Sequence, residues 1–139
     1  MLGKTIDELS VGDTAEFRKT VSESDIYLFA GVTGDMNPAH IDEEYASGTF
    51  FKGRIAHGML AAGFVSAVLG TRLPGPGTIY LSQSLSFKAP VHIGHTVTAR
   101  VEVVELTIEK NRVRLKTTCT DQTGKVILDG EAIVLAPKA

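Results

Sequence analysis

An almost wholly apolar run from Met59 to Leu69 constrains the fold of this chain more than any other feature. Apolar residues occupy nearly every position of the run, which predicts a helix that is surrounded on all sides. Period-two patterns follow it and predict strands at residues 78–88, 96–103, 112–120 and 126–135. Because the joins between these strands are short, neighbouring strands are expected to run antiparallel. The chain is therefore predicted to be α+β, with one long buried helix wrapped by a strongly bent antiparallel sheet.

The first third of the chain is predicted to be mixed. Thr14 to Val21 favours a strand, and Ser22-Glu23-Ser24-Asp25 has the pattern of a capping box that begins a helix. Gly34 is suited to end that helix in a left-handed conformation. Asp35 is therefore expected on a turn just beyond a helix, and Asp42 is expected to cap a second, short helix.

Length and composition limit the kinds of protein that this chain can be. The 139 residues are expected to form one domain, residues 1–139, and 43% of them are apolar, which is enough to bury a core. The net charge is -2 and like charges do not cluster, which disfavours nucleic acid and anionic membranes as partners. Cys119, the only cysteine, is expected to be a reduced core thiol. The apolar run is too short to span a bilayer and the N-terminus lacks a signal-peptide pattern, so a cytoplasmic protein is expected.

The segment from Gly34 to His40 offers an acid–base pair. Asp35 would be a general base whose charged form is disfavoured by burial, and His40 would act on the same water. The residues alone leave a plain alternative open, since Gly-Asp and Asn-Pro are common turn formers. A metal site that adds Asp42 and His57 as ligands is disfavoured, because nothing in the spacing makes the four side chains converge.

Gly58 is expected in the first turn of the apolar helix. There its N–H has no intrahelical partner and lies at the positive end of the helix dipole, so it could bind an oxyanion. Close packing of a strand on the helix explains a glycine at this position equally well. His57 is expected to orient this loop or to bond the backbone. For Ser66, within the helix, a bond from its hydroxyl to the Ala62 carbonyl is the simpler explanation.

The predicted sheet has edges that a single chain leaves exposed. Such a sheet also cannot easily cover both ends of its helix. Edge-to-edge pairing with a second copy would solve both problems, so the protein is expected to be a homodimer.

Three segments together resemble one known family. They are Asp35-Met36-Asn37-Pro38-Ala39-His40, Ile55-Ala56-His57-Gly58-Met59 and Tyr80-Leu81-Ser82-Gln83-Ser84-Leu85-Ser86-Phe87-Lys88-Ala89-Pro90-Val91. In this order and spacing, they closely resemble the (R)-specific enoyl-CoA hydratases of the MaoC-like dehydratase family. Three matched segments are far more specific than one, so they favour functional roles for Asp35, His40 and Gly58 over the plain alternatives. The family fold is the hot dog, which agrees with the wrapped helix predicted above.

The resemblance implies reversible syn hydration of a trans-2-enoyl-CoA to an (R)-3-hydroxyacyl-CoA, in fatty-acid or polyhydroxyalkanoate metabolism. Asp35 would activate the water, and His40 would hold it and help to deliver the proton. The Gly58 N–H would bind the thioester oxygen. Neither a cofactor nor a metal is implied, because CoA is part of the substrate. Three further residues would belong to the substrate site: Asn37, His57 and Ser66.

The sequence also indicates where the acyl chain would bind and which related activities are alternatives. The pocket is expected between the apolar helix and the loop from Arg72 to Gly77, with candidate walls at Leu60, Phe64, Val65 and Leu69. Two related activities are alternatives: a 3-hydroxyacyl-acyl-carrier-protein dehydratase of fatty-acid synthesis, and a hot-dog acyl-CoA thioesterase. A catalytically silent hot-dog subunit is disfavoured, because it would be expected to lose Asp35 or His40.

Overall fold

The computed structural model describes all 139 residues, Met1–Ala139. Its α-helices are α1 (Glu23–Thr33), α2 (Pro38–Ile41), α3 (Glu43–Ser47) and α4 (Gly58–Thr71). Its strands are β1 (Thr14–Thr20), β2 (Ile79–Gln83), β3 (Ser86–Phe87), β4 (Thr96–Thr107), β5 (Arg112–Thr120) and β6 (Val126–Leu135). Short 3-10 helices lie at Ile6–Glu8 and Ile108–Lys110. None of the helices combines the length and the hydropathy that a membrane span requires.

The six strands form one antiparallel sheet. Its order is β1-β4-β5-β6-β2, and the short β3 pairs with β6. The long central strands alternate between buried and less buried residues, as their period-two patterns predicted. β5 and β6 have the predicted bounds, 112–120 and 126–135, whereas β4 continues beyond the predicted Val103 to Thr107. The prediction that neighbouring strands run antiparallel is confirmed.

α4 packs against the sheet with one face. That face contacts β1, β4, β5 and β6, and its buried residues are Ala61, Ala62, Phe64, Val65, Val68 and Leu69. The opposite face, formed by Met59, Gly63, Ser66 and Gly70, is exposed. The prediction of a helix that is surrounded on all sides is therefore wrong for the single chain. The prediction failed because two glycines and one serine barely change the apolar character of the helix. These small residues nevertheless lie on one face of the helix and leave that face exposed.

The segment predicted as one strand at residues 78–88 is instead two strands at the sheet edge. β2 and β3 both pair with β6, and the register of β2 shifts between Tyr80 and Ser82. Ile79, Tyr80 and Leu81 are all exposed, so the predicted alternation of a buried and an exposed face is wrong here. An edge strand with exposed apolar residues is available for pairing with another chain.

Cys119 lies in the core, where β5 faces α4. Its thiol is buried and approaches the Ala61 carbonyl oxygen at 3.6 Å. Burial raises the pKa of this thiol to about 12, so it stays protonated at neutral pH. The predicted free core thiol is confirmed.

Helix caps fix where the helices begin and end along the chain between α1 and α4. Ser22 caps α1 in a capping box with Asp25, and Gly34 ends α1 in the left-handed conformation, at a φ of 83°. Asn37 and Asp42 cap α2 and α3 through their side-chain oxygens. The predicted caps at Ser22, Gly34 and Asp42 are confirmed. The turn that follows α1 carries Asp35, and the short helix α2 begins after Asn37 and carries His40.

Candidate active site

Asp35 lies on the exposed turn between α1 and α2. Its N–H donates to the Thr33 hydroxyl at 3.1 Å, and its Oδ1 accepts from the Asn37 N–H at 3.2 Å. The backbone therefore fixes one carboxylate oxygen and leaves the other free. Because Asp35 is exposed, the desolvation that we predicted for its carboxylate is wrong for the single chain.

His40 lies in α2 and is buried, with 8% of its surface exposed. Its Nδ1 is 2.7 Å from the carbonyl oxygen of Ile55. A carbonyl oxygen only accepts hydrogen bonds, so Nδ1 carries the hydrogen and Nε2 keeps a free lone pair. Burial lowers the pKa of this imidazole, although the Ile55 carbonyl and the Asp35 carboxylate favour its charged form. The ring is therefore biased towards the neutral state, with Nε2 able to accept a hydrogen bond.

His57 is the N-cap residue of α4 and is more deeply buried, with 3% of its surface exposed. Its Nε2–H donates to the main-chain carbonyl of Asp35 at 3.0 Å. Its ring stacks on that of His40 at 3.9 Å, with 30° between the planes, and the Phe29 ring lies 4.7 Å away. Its Nδ1 is buried and has no hydrogen-bond partner. The backbone bond that was expected of His57 joins the Asp35 turn to the start of α4.

Asp35, His40 and His57 converge. A carboxylate oxygen and one ring nitrogen from each histidine all lie within 4.8 Å of one another. These three residues could hold a metal ion, although each histidine already uses one nitrogen on a main-chain carbonyl. Asp42 does not join them, because its Oδ1 accepts from the Tyr45 N–H at the start of α3. The four-residue metal site considered from the sequence is therefore not formed.

Gly58 begins α4, as predicted. Its N–H donates no hydrogen bond within the chain, as expected at the first position of a helix. The ring of Phe87 lies so close that a Cβ on Gly58 would be 2.6 Å and 2.7 Å from two ring carbons. Packing therefore requires glycine here, and the same residue presents a free donor at the positive end of the helix. The two explanations weighed for Gly58 are compatible.

An apolar cavity of about 520 Å³ opens beside His57 and Gly58. Hydrophobic side chains from the helix and the sheet line most of it, among them Leu60, Ala61, Phe64, Phe87, Val97 and Leu128. The pocket that we expected at the Arg72–Gly77 loop is therefore wrongly placed, because Leu73 and its neighbours are buried against the N-terminal segment. Of the four predicted walls, Leu60 and Phe64 line the cavity, whereas Val65 and Leu69 belong to the core.

Asn37 and Ser66 differ from the converging residues in what they contact. The side-chain oxygen of Asn37 accepts from the Ala39 N–H at 3.0 Å, which caps α2 and leaves the amide nitrogen exposed. Ser66 lies on the open face of α4, beside Tyr80 and Ser82 in a shallow groove. Its hydroxyl makes no bond to the Ala62 carbonyl, so that expectation is wrong. The residues that line this groove with Ser66 do not include Asp35, His40 or His57.

Two functional groups were missed from the sequence. The Ile55 carbonyl fixes the tautomer of His40, and a main-chain atom of this kind leaves no signal in the side-chain pattern. Phe87 packs on Gly58 and lines the cavity. It lies within the third segment of the resemblance, so a signal for it was present.

Comparisons with known proteins agree on one family. Residues 8–126 match the family model described as MaoC like domain. The chain is similar to the (R)-specific enoyl-CoA hydratase of Rhodospirillum rubrum, with 62% identity over 94% of this chain and 90% of that protein. It is also similar to the 3-hydroxybutyryl-CoA dehydratase of Methylorubrum extorquens, with 53% identity over 95% of this chain and 83% of that protein.

The structure is similar to that of an R-hydratase from Pseudomonas aeruginosa, solved in the unliganded form. The TM-score is 0.94 at 48% identity, over 99% of this chain and 88% of that chain. The antiparallel six-stranded sheet with its packed helices is a hot-dog fold, as the resemblance implied. From the match over most of its length and the high identity of its relatives, the chain belongs to the MaoC-like domain family.

Proposed function

We propose that the chain is an (R)-specific enoyl-CoA hydratase, which catalyses the reversible syn hydration of a trans-2-enoyl-CoA to an (R)-3-hydroxyacyl-CoA. The observation that carries this proposal is the convergence of Asp35 with His40, next to the free N–H of Gly58. The Rhodospirillum and Methylorubrum relatives, both named for CoA thioesters, support the substrate class. The reaction needs only water and protein groups, so no cofactor beyond the CoA of the substrate takes part. Fatty-acid or polyhydroxyalkanoate metabolism would supply the enoyl-CoA.

The reacting water lies between Asp35 and His40 in this mechanism. One of its hydrogens points to the free carboxylate oxygen of Asp35, and the other to the bare Nε2 of His40. Because the Asp35 oxygen and the His40 Nε2 both accept hydrogen bonds, they hold the two hydrogens of the water. A lone pair of the water oxygen therefore points towards the substrate. The burial that lowers the pKa of His40 favours the neutral ring that this arrangement needs.

The Gly58 N–H would bind the carbonyl oxygen of the thioester. Attack of water at C3 of the enoyl group moves negative charge onto this oxygen as an enolate forms. A free N–H at the positive end of α4 stabilises that charge. Comparable donors in other enzymes contribute about 3–4 kcal/mol to transition-state stabilisation.

The proton and electron balance follows from this placement. Asp35 takes a proton from the water while the water oxygen bonds to C3, and the C2–C3 double bond becomes the enolate. The enolate collapses when C2 receives a proton from the Asp35–His40 pair. Water and proton donor lie on the same side of the substrate, so oxygen and hydrogen add to one face. This is syn addition.

The apolar cavity beside Gly58 would take the acyl chain, because it is the hydrophobic space nearest to the proposed thioester site. The exposed amide of Asn37 would contact the substrate at the turn that carries Asp35. Ser66 would contact it only if a second chain closes over the open face of α4.

A homodimer is part of this proposal. The edge strand β2 exposes Ile79, Tyr80 and Leu81, and the open face of α4 exposes Met59 and Gly63. A second copy that pairs along β2 and covers this face would bury both, and would make α4 the fully wrapped helix of the sequence prediction. A cytoplasmic location is also proposed, and the free thiol of Cys119 is compatible with it.

One substrate panel tests the function against its two rivals. Purified protein is given crotonyl-CoA, hexenoyl-CoA and a crotonyl-acyl-carrier protein, with a thiol reagent in parallel. We expect loss of the enoyl-thioester absorbance with the CoA substrates, an (R)-alcohol as the product, and no free thiol. Reaction with the carrier protein alone would favour the dehydratase, and thiol release would favour the thioesterase; either result overturns the proposal.

A further inference from the structure

His57 is a deeply buried histidine that the proposed mechanism does not use. Its surroundings argue against proton transfer. Nε2 already donates to the Asp35 carbonyl, and Nδ1 is a bare lone pair that is buried without a partner. Neither nitrogen of His57 is therefore placed to exchange a proton with the substrate.

The ring of His57 instead contacts the Asp35 turn and the His40 ring, and its backbone adjoins Gly58. It holds the Asp35 turn through the 3.0 Å hydrogen bond to the carbonyl of that residue. It supports the face of the His40 ring at 3.9 Å. It precedes Gly58 in the chain, so its position also sets where the free N–H points. Phe29 packs at 4.7 Å and limits movement of the ring.

We propose that His57 is a positioning residue, which holds the carboxylate, the imidazole and the oxyanion donor in one geometry. This inference rests on the proposed function. The three groups come from separate elements, namely the turn after α1, the helix α2 and the start of α4. Hydrogen bonds of Asp35 with Thr33 and Asn37 shape the turn locally, and the bond from His57 ties that turn to the start of α4. Misplacement of a catalytic group by about 1 Å can cost roughly 100-fold in rate, which is the scale of the expected effect.

Two substitutions separate the hydrogen bond from the space that the ring fills. His57→Phe keeps a ring for stacking on His40 but removes the donor to Asp35. His57→Gln loses the ring but can place an amide N–H where Nε2 lies. His92→Phe is the matched control, because the Nε2 of His92 is likewise 2.9 Å from a main-chain carbonyl, that of Phe51, and its ring lies near another histidine.

We expect His57→Phe to lower kcat by roughly 10- to 100-fold while KM changes less than about twofold. His57→Gln should recover a large part of kcat, and His92→Phe should leave kcat unchanged. The inference is overturned by a wild-type kcat in folded His57→Phe, by a loss confined to KM, or by losses in both variants that only track the folded fraction. If His57→Phe does not fold, a kcat for His57→Gln below a tenth of the wild-type value overturns it, and a higher kcat supports it.

The hydrogen bond from His57 to the Asp35 carbonyl can also be measured directly, through the position of the hydrogen on the ring. Nitrogen-15 spectra of the wild-type protein should show the hydrogen on Nε2 of His57 and on Nδ1 of His40. A His57 ring without a hydrogen on Nε2 contradicts the inference, because it could not donate to the Asp35 carbonyl. Failure of the proposed function is separable, because wild-type protein would then lack hydratase activity, whereas failure of this inference leaves His57→Phe as active as wild type.

Discussion

The imidazole rings of His40 and His57 stack at 3.9 Å in opposite tautomers. His40 donates through Nδ1 to the Ile55 carbonyl, and His57 donates through Nε2 to the Asp35 carbonyl. Each ring thereby commits the hydrogen of one nitrogen to the backbone. The consequence is a difference in role, since the bare Nε2 of His40 can accept from a water while the bare Nδ1 of His57 is buried.

The stability of the protein should depend on pH through His40. Its pKa is lowered in the folded state by burial, whereas the unfolded chain protonates it near its usual pKa of about 6.5. Below that value the unfolded state therefore binds more protons, and the free energy of unfolding falls as the pH drops towards the lowered folded pKa. His40→Asn, which can keep a donor to the Ile55 carbonyl, should lose this part of the pH dependence. Urea unfolding of both proteins between about pH 5 and pH 8 checks it, and parallel curves would contradict the assignment.

Asp35→Asn should leave the protein folded and lower turnover by at least about 100-fold, since an amide cannot take a proton from the water. The side-chain oxygen can still accept from the Asn37 N–H, so the turn should survive. Asp42→Asn is the matched control, because asparagine is as good an N-cap as aspartate and Asp42 caps α3 outside the cluster. Steady-state kinetics with crotonyl-CoA checks both, and near-normal turnover in folded Asp35→Asn would refute the role of this carboxylate.

Gly58→Ala should lower both Tm and turnover, because its new Cβ would collide with the ring of Phe87. Adding Phe87→Ala should restore part of the Tm by removing the collision. Gly31→Ala is the control within a helix, where a Cβ meets nothing within 4 Å, and alanine is expected to stabilise the helix by about 0.5–1 kcal/mol. Thermal melts and kinetics measure both effects. A Gly58→Ala variant with unchanged Tm would show that the close packing is not as described.

Leu81→Lys should disrupt the proposed dimer, since a charge on an edge strand opposes pairing with a second strand. Light scattering coupled to size-exclusion chromatography should then report the 14.8 kDa of one chain. Val11→Lys, at an exposed position in the turn before β1, should keep the mass of the wild-type protein. A wild-type protein that is itself monomeric would rule out the homodimer.

The fold could be predicted where local pattern and tertiary environment agree. β5 alternates between apolar and polar residues and packs one face on the core, and β6 keeps this pattern in part. The bounds of both strands were predicted to the residue. The pattern failed for Ile79 to Leu81, because β2 is an edge strand and alternation says nothing about which strand is last in the sheet. It failed also for the open face of α4, since small residues such as Gly63 suit close contact with a helix, a strand or a second chain.

The candidate site was predictable in its residue types and less so in its bonds. The segment from Asp35 to His40 and the pair His57-Gly58 are brought together as the resemblance implied. A backbone bond was expected of His57, but the sequence could not identify its acceptor or reveal the bond from His40 to the Ile55 carbonyl. Both acceptors depend on the path of the loop and not on a side chain. The same limit applies to Ser66, whose contacts depend on whether another chain covers it.

The most direct test of the central claim is the hydration of crotonyl-CoA in deuterium oxide, with the product analysed by NMR and chiral chromatography. The mechanism predicts (R)-3-hydroxybutyryl-CoA that carries one deuterium at C2, on the face to which the hydroxyl group was added. Product of (S) configuration, deuterium on the opposite face, or no hydration by the folded protein would contradict the account of Asp35 and His40 acting on one water.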